Sequence, residues 1–246
     1  MLAIRSVTKR FDDGTLAVEE VSAEIKSGEF VALLGPSGCG KSTLLRLLAG
    51  LTAPSDGEIV WDAGARPGLG DIGFVFQDAT LMPWADAAEN VYLPLRLMGQ
   101  RRAEAKARID AALAQVGLAE FAESRPKALS GGMKMRVSIA RALVSDPGLL
   151  LMDEPFAALD EFTRHRLQGD LHRLWRQSGK TVVFVTHSIY EAAFLASRVL
   201  VMSPRPGRIA ADIAAKIGDG PERRDSAAYL ALVGEITQAL RGVMAL

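Results

Sequence analysis

From Gly35 to Ser42 the chain reads Gly-Pro-Ser-Gly-Cys-Gly-Lys-Ser, a match without exception to the pattern G-x-x-x-x-G-K-[ST]. This pattern constrains the fold because it works only as the bend between a buried strand and a helix. Its glycines let successive backbone N–H groups turn inward around phosphate oxygens, and the helix that follows points its positive end at them. Both flanks can be read in the sequence. Phe30–Leu34 is a continuous apolar run, as expected of a buried strand, and Ser42–Leu48 reads as a helix. In such a loop Lys41 supplies a point charge for β- and γ-phosphates, and the Ser42 hydroxyl can ligate Mg²⁺. Gly35, Pro36, Ser37, Gly38, Gly40 and Thr43 complete the phosphate cradle, with Cys39 an inert filler at a free position.

Further buried runs stand at Leu149–Met152 and Thr181–Val185, with helical patterns from Arg101 to Val116 and from Glu161 to Gln177. The opening is β-rich: Val18, Val21, Ala23 and Ile25 fit a somewhat irregular strand that ends at Ser27-Gly28. Strands alternating with helices predict an α/β fold with a mostly parallel sheet covered on both faces. From Asp78 to about Lys127 no buried-strand run occurs. This stretch reads as an inserted helical subdomain, broken at Pro83, Pro94 and Pro126. From Pro221 a tail helix is expected, with Tyr229, Val233, Ile236 and Leu240 stacked at helical spacing and packed on the core.

Leu149-Leu150-Leu151-Met152 runs into Asp153-Glu154. A buried strand ending in a carboxylate puts Asp153 at the edge where ligands bind in open α/β sheets, within reach of a Mg²⁺ shell. Glu154 is then placed to orient or deprotonate a water aimed at a γ-phosphate. With 246 residues the chain suits one large domain or two small ones, and its single cysteine excludes a disulfide framework. Twenty-nine basic and 29 acidic residues cancel, which argues against a chain built to grip a nucleic-acid backbone. No apolar run approaches the ~18 residues of a membrane span, and charge arrives at Arg5, too early for a secretory signal. A soluble, intracellular chain is expected.

Between the two motifs stands Leu129-Ser130-Gly131-Gly132-Met133, followed by a helix through Arg141. Here the sequence resembles the ATP-binding subunits of ABC transporters, whose signature loop usually reads LSGGQ. The order agrees as well: phosphate loop, glutamine loop at Gln77 in Phe74-Val75-Phe76-Gln77, signature, acidic strand, Ala158-Leu159-Asp160, and His187 in Val185-Thr186-His187. The resemblance runs from about Leu2 to Ile209. It implies a P-loop NTPase core with an N-terminal antiparallel β-subdomain and an inserted helical subdomain. Residues 1–246 would then form a single domain, with 78–145 the helical subdomain and 221–246 the tail.

The resemblance also implies roles. Phe11 stacks on adenine, which needs a ring face and not the hydroxyl of the commoner Tyr. Gln77 serves the cation and the attacking water, His187 acts as a switch at the γ-phosphate, and Asp160 belongs to a nucleotide-contacting loop. Ser130, Gly131 and Gly132 face the γ-phosphate held by a second copy, so that ATP joins a homodimer and hydrolysis releases it. Implied partners are transmembrane permease subunits at the cytoplasmic face of the membrane, and through them a solute-binding protein, but no nucleic acid. The docking surface would be the Gln77 loop with Leu81 to Leu97, chiefly Leu81, Met82, Trp84 and Leu93. Met133 and Met135 depart from the usual signature. Met133, Leu81-Met82-Pro83-Trp84, His187–Ala192 and Met202–Ile209 resemble the nitrate/sulfonate/taurine importer branch. The alternative is an ABC-type ATPase acting on DNA or the ribosome. Such proteins usually carry coiled-coil arms, a second nucleotide domain or a basic surface, none of which this sequence displays.

Overall fold

The computed structural model describes residues 2–61, 67–157, 159–215 and 221–244. Its contacts fall into two compact units, residues 1–66 with 181–246, and residues 67–180.

The first unit opens with β1 (Leu2–Arg10), β2 (Leu16–Ile25), β3 (Phe30–Leu34), α1 (Lys41–Leu48) and β4 (Asp56–Trp61). Strand β1 pairs antiparallel with both β2 and β4. Ser6 and Glu20 sit at positive φ where the β1 register shifts, which accounts for the irregularity read in the sequence. After residue 180 come β7 (Thr181–Thr186), α6 (Ile189–Leu195), β8 (Arg198–Met202), β9 (Ile209–Ala214) and α7 (Ala227–Met244). Strand β3 lies parallel between β7 and β8, and β9 closes this edge antiparallel. Every residue of β3 and β7 is buried. At roughly 1.5–3 kcal/mol per buried Val, Leu or Phe, this apolar centre fixes the strand ends from which the phosphate loop and His187 emerge.

The second unit holds β5 (Ile72–Val75), α2 (Ala87–Leu97), α3 (Arg102–Gln115), α4 (Gly131–Leu143), β6 (Leu149–Asp153) and α5 (Glu161–Ser178). Strands β5 and β6 are parallel, and α2, α3 and α4 pack on one another, with α4 also on β5. The helices expected at 101–116 and 161–177 lie within a residue of those bounds.

Two proline expectations are corrected. Pro94 lies inside α2: Val91, Tyr92 and Leu95 on that helix are buried, and their burial outweighs the single hydrogen bond that proline forfeits. Pro126 opens a one-turn helix, Pro126–Ala128, instead of breaking one, at the position where a missing N–H costs nothing. The buried stripe of α7 is Tyr229, Leu232, Ile236 and Val243, so the expected Val233 and Leu240 flank it, half-buried.

The loop into α2 is held by Asn90, which is completely buried. Its Oδ1 accepts from Met82 N at 2.7 Å, while Nδ2 donates to Met82 O, Ala85 O and Asp86 O at 3.3, 3.2 and 2.9 Å. Replacing Asn90 by Leu is expected to cost about 2–4 kcal/mol, because several buried backbone groups lose their partner at once. Denaturant unfolding checks this, and an unchanged midpoint would contradict it.

Candidate functional site

In the first unit the phosphate loop springs from the end of β3. Leu34 pairs with Thr186 on one side and Val201 on the other, so Gly35, His187 and the turn after β8 all leave the sheet at the same edge. Gly40 caps α1 at φ +103°, and a Cβ there would stand 2.5 Å from Ala17 O and 2.7 Å from Val18 Cγ1. Only glycine fits. Lys41 is 5% exposed, and its Nζ donates to Gly35 O at 2.7 Å and Pro36 O at 2.8 Å. The ammonium is therefore held within the curve of the loop. Cys39 is buried, with Sγ 3.8 Å from Lys41 Nζ, and fills the space beneath the loop. Ser42 and Thr43 follow in the first turn of α1.

His187 is exposed directly after β7. Its turn is tied down from both sides: Thr186 Oγ1 donates to Glu191 Oε2 at 2.6 Å and accepts from Ser188 N at 3.0 Å, and Ser188 Oγ caps α6. Phe11, 41% exposed, follows β1. Lys9 Nζ lies 5.5 Å from its ring centroid and also donates to Ala53 O, so one ring face carries a cation fixed by backbone.

In the second unit the parallel register pairs Val75 with Met152. Gln77, Asp153 and Glu154 consequently emerge within two residues of that pair, side by side at one strand edge. Asp153 is 4% exposed as the last residue of β6. Glu154 holds φ +46°, a left-handed backbone rarely adopted outside glycine. Arg164 donates to Phe156 O and Leu159 O and so fixes the segment beyond. Within Ala158-Leu159-Asp160, Ala158 lies outside the described residues. Asp160 is the N-cap of α5: it accepts from Thr163 N at 2.9 Å, and the Thr163 amide, followed by its hydroxyl, holds the carboxyl below its usual range.

Ser130 is the exposed N-cap of α4, accepting from Met133 N at 3.2 Å, and Gly131 and Gly132 form the first turn. An exposed helix start capped by a hydroxyl suits an anion. Met135 is buried in the α4 core, which explains its apolar character at that position. Arg141, at the last turn of α4, donates to Ala79 O and Thr80 O at 2.9 Å each and links the loop after Gln77 to the signature helix. Burial lowers its guanidinium pKa from the usual range. Sequence reading missed Lys9, Asn90 and Arg141 as site supports, since nothing in their spacing marks them.

A groove of about 310 Å³ in this unit is lined by Phe74, Phe76, Leu93, Pro94, Leu97 and Arg141, among others. Of the four apolar residues expected there, Leu93 lines it, while Leu81, Met82 and Trp84 do not, and Trp84 is 74% exposed. The phosphate loop and His187 belong to one unit, and Gln77, Asp153, Glu154 and the signature to the other.

A family model described as ABC transporter matches residues 18–157. The taurine import ATP-binding protein TauB of Jannaschia sp. (strain CCS1) is 45% identical over 213 residues, 85% of this chain and 80% of that protein. Its namesake from Rhizobium johnstonii is 52% identical over 197 residues, 79% and 75% of the two chains. Among solved structures, the ATP-binding cassette MJ0796, a dimer in a post-hydrolysis state bound to ADP and Pi, aligns with a TM-score of 0.79 at 36% identity, over 88% of this chain and 99% of that one. The chain belongs to the ABC transporter family.

Proposed function

We propose that this chain is the ATP-hydrolysing subunit of an ABC importer, working as two identical copies docked on a separate permease at the cytoplasmic face of the membrane. No helix among the described residues is long and apolar enough to cross a bilayer. The carrying observation is the strand edge at which the buried Asp153, the left-handed Glu154 and Gln77 emerge together, in a chain whose phosphate loop keeps Lys41 buried within its curve.

ATP binds with its phosphates in the loop 35–43, where Lys41 neutralises the β- and γ-oxygens, and with its base on the free face of Phe11. Gln77 and Asp153, at one strand edge of the second unit, would offer amide and carboxylate oxygens, a hard donor set that fits Mg²⁺, and in the first unit Ser42 would offer a hydroxyl. A cation held there would supply charge neutralisation to the phosphates during hydrolysis. Glu154 accepts a proton from the attacking water, and His187 donates to the γ-phosphate. Ser130 and the first-turn amides of α4 contact the γ-phosphate of the partner copy, so closure needs ATP in place and hydrolysis ends it. The apolar groove beside α2 receives a permease helix, and Arg141 ties that groove to both the Gln77 loop and α4.

Sulfonates of the taurine type are the solute class assigned to the importer, from the likeness to taurine import proteins. Uptake of labelled taurine, a longer alkanesulfonate and nitrate by cells lacking this chain tests the assignment. Loss of sulfonate uptake, restored by the wild type and not by Glu154→Gln, is expected. Unchanged uptake of taurine and the alkanesulfonate would overturn it.

A further inference from the structure

The tail enters the first unit through a one-turn helix, Pro221–Asp225, and continues as α7, which packs on α6, β8 and β9. Ser226 joins the two: its hydroxyl donates to Arg223 O at 2.8 Å and accepts from Tyr229 N at 3.1 Å. Two tail side chains then reach α6, one at each end. The Tyr229 hydroxyl donates to Tyr190 O at 3.3 Å, in the first turn of α6. Arg223, 6% exposed, donates through Nη2 to Ala196 O at 3.2 Å, at the C-cap of α6. Between them Arg224 Cζ lies 4.1 Å from the centroid of the Phe194 ring.

Helix α6 has seven residues, too few to be stable without packing against its surroundings. His187 directly precedes its N-cap, Ser188, which accepts from Glu191 N at 3.3 Å. On the other side of His187, the Thr186 hydroxyl donates to Glu191 Oε2 at 2.6 Å. The placement of α6 is thus passed to His187 from both neighbours. Plain docking of a tail helix needs only apolar side chains, and α7 has them in Leu232, Ile236 and Val243. Tyr229 and Arg223 add buried polar groups bonded to α6 carbonyls, and satisfied buried polar groups select one packing over near alternatives.

We infer that Tyr229 and Arg223 of the tail are positioning residues, which hold α6 at its two ends and so set where the His187 imidazole stands at the γ-phosphate. The inference deepens the reading of His187 given above and rests on it. Every residue involved belongs to the first unit. Small misplacements of a reacting group cost rate even when their source is far from the chemistry, so the tail governs turnover and not affinity.

Steady-state hydrolysis by the full chain and the ring signals of ¹⁵N-labelled histidine test this. Tyr229→Phe deletes one hydroxyl and keeps the buried ring. Its kcat is expected to fall about 3–10-fold, the weight of one hydrogen bond, with KM within about 2-fold. Arg223→Met should act the same way, and Arg223→Lys, which keeps a donor for Ala196 O, should recover most of the loss. On a His187→Ala background Tyr229→Phe should add nothing, since its effect passes through that side chain. The chain has three histidines, and His165 and His172 belong to the second unit. With Mg²⁺ and AMP-PNP, Tyr229→Phe should therefore shift the His187 signal and leave the other two in place. An unmoved His187 signal, or independent effects of Tyr229→Phe and His187→Ala on kcat, would overturn the inference and leave α7 as packing. If His187→Ala hydrolyses ATP at the wild-type rate, the reading of His187 falls and the inference with it. If His187→Ala is slow and Tyr229→Phe is not, only the inference falls.

Discussion

Glu154→Gln is expected to retain ATP binding and to lose hydrolysis by about 10²–10⁴-fold, the usual contribution of a positioned general base. The amide keeps the size and the planar shape of the carboxylate but cannot accept a proton from the attacking water. The backbone supports a specific effect: Glu154 holds φ +46° directly after the buried Asp153, so the chain places it in a conformation that is not the relaxed one for its residue type. Neither the phosphate loop nor Lys41 is altered by the substitution, and nucleotide affinity should stay within a few-fold of wild type. Single-turnover hydrolysis with radiolabelled ATP measures both quantities. Near-normal turnover would remove Glu154 from the role of base.

Ser130→Arg is expected to prevent ATP-driven pairing of two copies while leaving the affinity of a single copy for nucleotide nearly unchanged. Ser130 stands exposed at the start of α4, in a different unit from the phosphate loop, and its hydroxyl is occupied as a helix cap from Met133 N. On the proposed reading, arginine puts bulk where the partner's γ-phosphate would fit, and it also deletes the cap. Ser130→Asp separates the two effects: aspartate caps a helix as well as serine, yet it brings a negative charge against the phosphate. Both variants should fail to pair. Pairing of the aspartate form with ATP would contradict the composite site.

Much of this was legible in the sequence because the phosphate loop and the acidic strand end are local patterns. A buried strand, a glycine-rich bend and a helix start announce one another within fifteen residues, and Asp153-Glu154 follows an all-apolar run. Strand β8, Arg198–Met202, is an equally apolar run but is short and carries no motif that sets it apart. Strands β1, β4 and β5 were hidden for a physical reason: β1 slips register at Ser6, β4 is half-exposed, and β5 is four residues long with a glycine inside. Pro94 misled because sequence shows the lost hydrogen bond but not the burial of its helix neighbours. The supports of the site, Asn90 and Arg141, were invisible for a common reason. Each acts on backbone carbonyls or amides brought near by the fold, and such partners leave no mark in residue spacing.

That ATP is enclosed between two copies is tested most directly by size-exclusion chromatography of Glu154→Gln with MgATP, run with and without Ser130→Asp in the same chain. Glu154→Gln alone should elute as a dimer with ATP and as a monomer with ADP, and the double variant should stay monomeric in both while still binding ATP. ATP-dependent dimers in the double variant would contradict a composite site and point to catalysis contained within each copy.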